Sequence, residues 1–151
     1  MTIEEKKLVS TGFQITVDCR DPHRQAAFWA AALGYEIEDH SALIESLLRA
    51  GAATDADIVE IEGRKAWREA AAINDPSRER SDPGARMLFH AVPEGKTAKN
   101  RLHLDLHRGH ERDGIVEGLV GLGATVLGHY KERGSEWAAL RDPEGNEFCV
   151  Q

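Results

Sequence analysis

His103, Asp105 and His107 alternate along the run His103-Leu104-Asp105-Leu106-His107, and an extended strand would turn all three to one face. Imidazole and carboxylate groups can ligate a metal or move a proton. Neighbours on one strand face, however, stand about 6.5–7 Å apart, too far for one ion to bridge successive members. The trio therefore reads as the polar lining of a cavity, or, for His107 together with His110, as groups facing solvent at a strand exit. Cys149 brings a sulfur to the last apolar run. There a thiol reads as inert core, with a nucleophile served by His103 as the alternative. The chain carries no Gly-rich phosphate loop with Lys-Ser/Thr, no Gly-x-Ser-x-Gly elbow and no Cys-x-x-Cys pair.

A repeat ties these residues to the other end of the chain. Gln14-Ile15-Thr16-Val17-Asp18 opens a strand-like run, and Leu33-Gly34 closes the helical pattern after it. His103 to His107 and Leu122-Gly123 repeat that order at an offset of 89 residues. Ala71 to Pro76 answers Ala138 to Pro143 at an offset of 67, so the first half holds about 22 extra residues. Gln14, Thr16 and Asp18 thus become the equivalents of His103, Asp105 and His107. Both halves would contribute to one polar lining.

The elements that must position these groups can be read in order. Phe13 to Cys19 alternates as a strand. Asp21 caps a helix with Pro22 in its first position, Ala26, Trp29, Ala30 and Leu33 give its apolar face, and Gly34 ends it. A strand resumes at Tyr35 to Ile37. Ser41 starts an amphipathic helix through Leu48, stopped by Gly51, and Ile58 to Ile61 reads as strand or as turn. Strands follow over Trp67 to Ile73 and Met87 to Val92, divided by a polar loop over 75–84. After the connector 93–100, the second half gives a strand over Leu102 to His107 and a helix through Ile115, Val116, Leu119 and Leu122. That helix is weakened by Gly114, Gly118 and Gly121. Three more strands lie near 125–127, 137–140 and 147–151, the last two joined by Asp142-Pro143-Glu144-Gly145. The pattern is βαβββ twice over. Residues 1–10 read as a tail and 11–151 as one domain, split near 11–94, with a helical insertion over 39–66, and 100–151. Trp29, Trp67 and Trp137 read as packing residues.

Composition narrows the function classes. The 151 residues carry 19 Lys and Arg against 26 Asp and Glu, a formal charge of −7. That balance argues against a nucleic-acid or anionic-membrane surface. No run has the length of a membrane-spanning helix, and the charged start is unlike a signal peptide. Cys19 and Cys149 read as reduced thiols, and the expectation is a cytoplasmic protein.

The element order, with Asp21-Pro22, Phe28-Trp29, Leu33-Gly34, Asn100 to Leu106 and Asp142 to Val150, resembles the vicinal oxygen chelate superfamily. Within it the chain is most similar to small bacterial glyoxalase-like domain proteins. The resemblance implies an α+β fold of paired βαβββ modules whose sheets curl around a cavity, and homodimers are common among such relatives. It also implies a divalent metal (Zn, Ni, Mn or Fe) with Gln14 and His103 at ligand positions. The last-strand carboxylate of that pattern falls at Cys149, and the remaining position falls near Leu88 to His90. Two functions follow as expectations. One is a small-molecule-binding protein without the full metal site, lined by Gln14, Thr16, Asp18, His103, Asp105 and Cys149. The other is a metal-dependent lyase, isomerase or dioxygenase acting on vicinal oxygens, with Glu147 or Asp105 as general base.

Overall fold

A computed structural model describes residues 10–151, so the expected tail over 1–10 lies, apart from Ser10, outside the described residues. The first module runs β1 (Ile15–Cys19), α1 (Pro22–Leu33), β2 (Glu36–Ile37), then α2 (Ser41–Arg49), β3 (Ile58–Ile61), β4 (Arg64–Trp67), β5 (Ala70–Asn74) and β6 (Arg86–Ala91). The second runs β7 (Asp105–Leu106), α3 (Arg112–Gly121), β8 (Thr125–Glu132), β9 (Ser135–Arg141) and β10 (Glu147–Val150). Two four-stranded sheets result, ordered β1-β6-β5-β2 and β7-β10-β9-β8. Their orders correspond strand for strand once α2, β3 and β4 are set aside, which is the βαβββ repeat. The inserted segment is more than a helix, because β3 and β4 pair as a hairpin beside α2.

Local chemistry explains the boundaries of α1. Asp21 accepts a hydrogen bond from Arg24 N (3.1 Å), Pro22 fills the first helical position, and Gly34 adopts φ 72°. That left-handed conformation is cheap only without a Cβ. Two strand expectations change. Trp67 to Ile73 is divided at Arg68 and Glu69, since β4 ends to pair with β3 while β5 pairs with β6. Leu102 to His107 narrows to Asp105–Leu106. Upstream of β7, Asn100 is instead held to the start of the neighbouring strand β10, its N–H donating to Glu147 and its Nδ2 to Asn146 Oδ1.

The core is continuous across both modules. Ile73, Met87 and Phe89 beneath α1 join Leu140, Phe148 and Val150 in one buried cluster. Phe28, Trp29 and Phe148 meet edge to face, with centroids 5.0–6.1 Å apart. Trp29 is thus a packing residue, 4% exposed.

Asp142 fastens the modules together. It is 4% exposed and stands in the β9–β10 turn. Its Oδ2 accepts from Gln25 Nε2 (2.8 Å), Trp29 Nε1 (3.1 Å) and Asn146 Nδ2 (3.3 Å), and its Oδ1 from the N–H groups of Glu144 and Asn146 (2.9 and 3.0 Å). An ionised carboxylate only accepts, so it turns the Gln25 amide nitrogen inward and leaves the buried Gln25 Oε1 without a partner. Glu144 of the same turn accepts from the backbone N–H groups of Arg20 (2.6 Å) and Asp21 (2.9 Å), just ahead of α1. The side chain of the repeat equivalent, Asp75, accepts hydrogen bonds from the nearby Ser77 and Arg78 instead. The positions on α3 that match Gln25 and Trp29 are Gly114 and Gly118, and each would have open space around an added Cβ.

Removing Asp142 strands several buried donors, each costing about 1–3 kcal/mol, so Asp142→Ala should destabilise by about 3 kcal/mol or more. Asp75→Ala should cost far less, because its partners reach water. Urea denaturation of both variants checks the contrast.

Candidate functional site

On β1 the side chains alternate as the sequence predicts. Ile15, Val17 and Cys19 turn toward the core, and Gln14, Thr16 and Asp18 are exposed. On β10, Phe148 and Val150 are buried at 1% and 0%, so Cys149 between them points to the opposite face and is only half buried. It is therefore not the sealed core thiol its apolar strand suggested. Cys19 is that thiol: it is 4% exposed, and burial, assisted by Glu144, Asp21, Asp18 and Asp142, pushes it up to about 12.

The parallel pairing of first and last strands fixes which positions correspond. Thr16 stands opposite Leu88 on β6, and Asp105 stands opposite Cys149 on β10. Since Thr16 and Asp105 are repeat equivalents, Leu88 and Cys149 are equivalents as well. The ligand position that sequence spacing left between Leu88 and His90 thus corresponds to Leu88, a side chain with no donor. Asp18 stands opposite His90.

Two groups of polar side chains form. In the second module His103 Nδ1 lies 2.9 Å from Asp105 Oδ1, and donor atoms of His103, Asp105 and Cys149 all lie within 4.8 Å of one another. The strand-spacing argument that kept His103 and Asp105 apart fails because His103 precedes β7, so its ring folds back onto Asp105. In the first module Gln14 Oε1 accepts from Arg86 Nη1 (2.9 Å), while Gln14 Nε2 donates to Thr16 Oγ1 (3.4 Å). Arg86 also donates to both carboxylate oxygens of Glu38 through Nε (2.7 and 3.2 Å), with 8% and 15% of the two side chains exposed. Sequence reasoning missed this arginine. Its only signal was placement two residues before Leu88, hence on the same strand face.

Between the modules lies a cavity of about 360 Å³. Ile15, Leu33, Met87 and Leu104 give it apolar walls, and Asp105 and Arg108 are among its polar lining. Of the lining residues expected from sequence, Asp105 belongs to both this cavity and the His103–Cys149 group.

Glu147 is held by two donors and is a poor candidate for a general base. The Asn100 N–H and the Lys96 ammonium, 3.0 and 2.9 Å from its Oε2, hold its carboxyl down at about 2. Burial pushes the Cys149 thiol up, with the Asp105 charge adding to the rise.

Paired βαβββ modules, each with its first and last strands in parallel contact, define a protein of the vicinal oxygen chelate superfamily. The chain belongs to the glyoxalase-like domain family, whose model matches residues 14–151. No curated protein matches it. Among solved structures it is similar to a glyoxalase/bleomycin resistance protein/dioxygenase family enzyme from Burkholderia phytofirmans PsJN, with 16% identity over 91% of this chain and 94% of that one (TM-score 0.59). It is also similar to a mutant of the fosfomycin resistance protein FosX from Listeria monocytogenes complexed with Mn(II) and 1S,2S-dihydroxypropylphosphonic acid. That match has 12% identity over 95% and 90% of the two chains (TM-score 0.60). A third is the bleomycin-binding protein from Streptomyces verticillus complexed with copper(II)-bleomycin, with 14% identity over 96% and 98% (TM-score 0.54). At these identities the likeness is one of fold.

The oxygen-rich divalent metal that the superfamily implies does not fit these side chains. Leu88 supplies nothing, Cys149 offers sulfur where a carboxylate is called for, and the Gln14 amide oxygen already faces the Arg86 guanidinium.

A carboxyl with a depressed pKa adds stability that is present above its ordinary value of 4.5 and is lost as pH falls toward about 2. Glu147→Gln should therefore be less stable than the natural protein at neutral pH. The gap between the two should close on acidification through that window, as urea midpoints across a pH series would record.

Proposed function

We propose that this chain is a small-molecule-binding protein of glyoxalase-like fold, taking its ligand between the two modules without the full superfamily metal site. The observation that carries this reading is the cavity of about 360 Å³ with apolar walls from both modules and a polar rim at Asp105 and Arg108. A pocket of that size, mostly apolar with few polar groups, suits a small organic ligand. Support also comes from the loss of donors at Leu88, which leaves the alternative metal-dependent lyase, isomerase or dioxygenase short of ligands. Asp105, His107, Arg108 and Arg78, which line that cavity, are the polar groups placed to orient the ligand's heteroatoms.

A cytoplasmic setting is part of the proposal, in keeping with the two free thiols Cys19 and Cys149. Among the described residues no helix is long and apolar enough to cross a membrane. Assembly as a homodimer belongs to the same reading. The inserted segment leaves Leu43 and Ile61 exposed at 55% and 39%, and Ile37 beside it at 54%.

A thermal-shift screen of small metabolites and antibiotics, run with chelator present, tests the binding reading, because a ligand of the folded state alone must raise apparent stability. The expected result is a ligand whose shift is lost in Leu33→Trp, which fills the cavity. A screen with no hit, or a hit unchanged in that variant, would count against it. For the dimer, light scattering should give twice the 16.7 kDa of one chain, and a monomer mass at working concentration removes it.

A further inference from the structure

We propose that the cavity between the modules takes a small organic monoanion, an aryl or alkyl carboxylate, whose charged end is held by Arg108. The assignment rests on that cavity being the ligand site, and it fixes the class of ligand.

The chain is acidic, at −7, yet two guanidinium groups and a single carboxylate line this one cavity. Arg78 reaches it from the first module and Arg108 from the second. The two differ in what they have left to offer. Arg78 is engaged within its own module: Nε donates to Asp75 Oδ2 (2.8 Å), Nη1 to Pro83 O (2.9 Å) and Nη2 to the Tyr35 hydroxyl (2.8 Å). Tyr35 in turn donates to Gly84 O (3.0 Å), so this side of the cavity is braced and its charge balanced. Arg108 is in the opposite state. It is exposed, and no ion pair among the described residues takes up its guanidinium. Its backbone is nonetheless pinned, since Arg108 N and Gly109 N both donate to Gln151 O (2.6 and 2.9 Å). A planar fork of N–H donors on a fixed backbone position matches a carboxylate through two parallel hydrogen bonds.

The other lining residues narrow the ligand further. Asp105 faces the same cavity, and its charge repels a second negative charge on the ligand, which favours a monoanion over a phosphate ester. The side chains of Ile15, Leu33, Met87 and Leu104 offer no strong hydrogen-bonding group, so the body of the ligand is hydrocarbon. A volume of about 360 Å³ lies near the small end of ligand pockets, which run about 300–1,000 Å³, and suits one ring or a short chain.

The experiment titrates the full chain, by calorimetry at neutral pH, with benzoate, phenylacetate, cinnamate and hexanoate, each beside its uncharged primary amide, and with phenyl phosphate. At least one acid should bind about tenfold or more tightly than its amide. Arg108→Gln should lower the affinity for that acid to that of the amide and leave the amide unchanged, whereas Leu33→Trp should weaken both. Unchanged far-ultraviolet circular dichroism and melting temperature would confirm that Arg108→Gln folds. An amide that binds as well as its acid, an acid preference that survives Arg108→Gln, or phenyl phosphate binding more tightly than every acid would overturn the proposal. In each of those cases a loss of binding in Leu33→Trp would leave the cavity standing as a ligand site. Failure of every acid to bind also overturns the proposal, while the broader thermal-shift screen judges the cavity itself.

Discussion

One buried carboxylate holds this molecule in its arrangement. Asp142 sits in a turn of the second module, yet two of its partners, Gln25 and Trp29, belong to the helix of the first. A charge placed in a protein interior is tolerable only where fixed dipoles replace the water it has lost, and five N–H groups do so here. The arrangement is self-consistent. The turn places the carboxylate, the carboxylate orients Gln25 and Trp29, and Trp29 then completes the aromatic contact with Phe148 that joins the two halves of the core. Neither module's sheet touches the other through strand pairing, so side chains of this kind set how the two modules meet.

With the modules so fixed, the two polar groups acquire opposite electrostatic character. Around Gln14 the guanidinium of Arg86 is the nearest formal charge, balanced by Glu38 and withdrawn from water. Around Cys149 the nearest formal charge is the Asp105 carboxylate, which disfavours a bare thiolate as well as any anion. Equivalent positions of a duplicated unit have thus diverged: Gln14 faces a guanidinium, and His103 faces a carboxylate. The superfamily fold supplies the scaffold for both, but the chemistry is set by the individual side chains.

Much of the fold was legible because its signals are local. The Asp21-Pro22 start and Gly34 end of α1 each rest on the conformation of one or two residues, and the structure shows both. Strand register was not legible, because it depends on contacts distant in sequence. Leu88 could be matched to Cys149 only through pairing with Thr16, across a loop whose length differs between the halves. The approach of His103 to Asp105 was hidden by the assumption that the strand ran through both, when the chain enters it only at Asp105. Arg86 was hidden for another reason: nothing in its neighbours announces that Glu38 will come to lie beside it. The hairpin of β3 and β4 was ambiguous in the sequence since a short apolar run fits strand and turn alike.

The missing counterpart of the Asp142 joint also says where the molecule has room to be rebuilt. Gly114 and Gly118 stand on α3 where Gln25 and Trp29 stand on α1, and space around both is open. Glycine inside a helix gives up about 0.5–1 kcal/mol relative to alanine. An engineer could therefore fill these two positions as spare sockets, stiffening the helix first and adding a second clasp later.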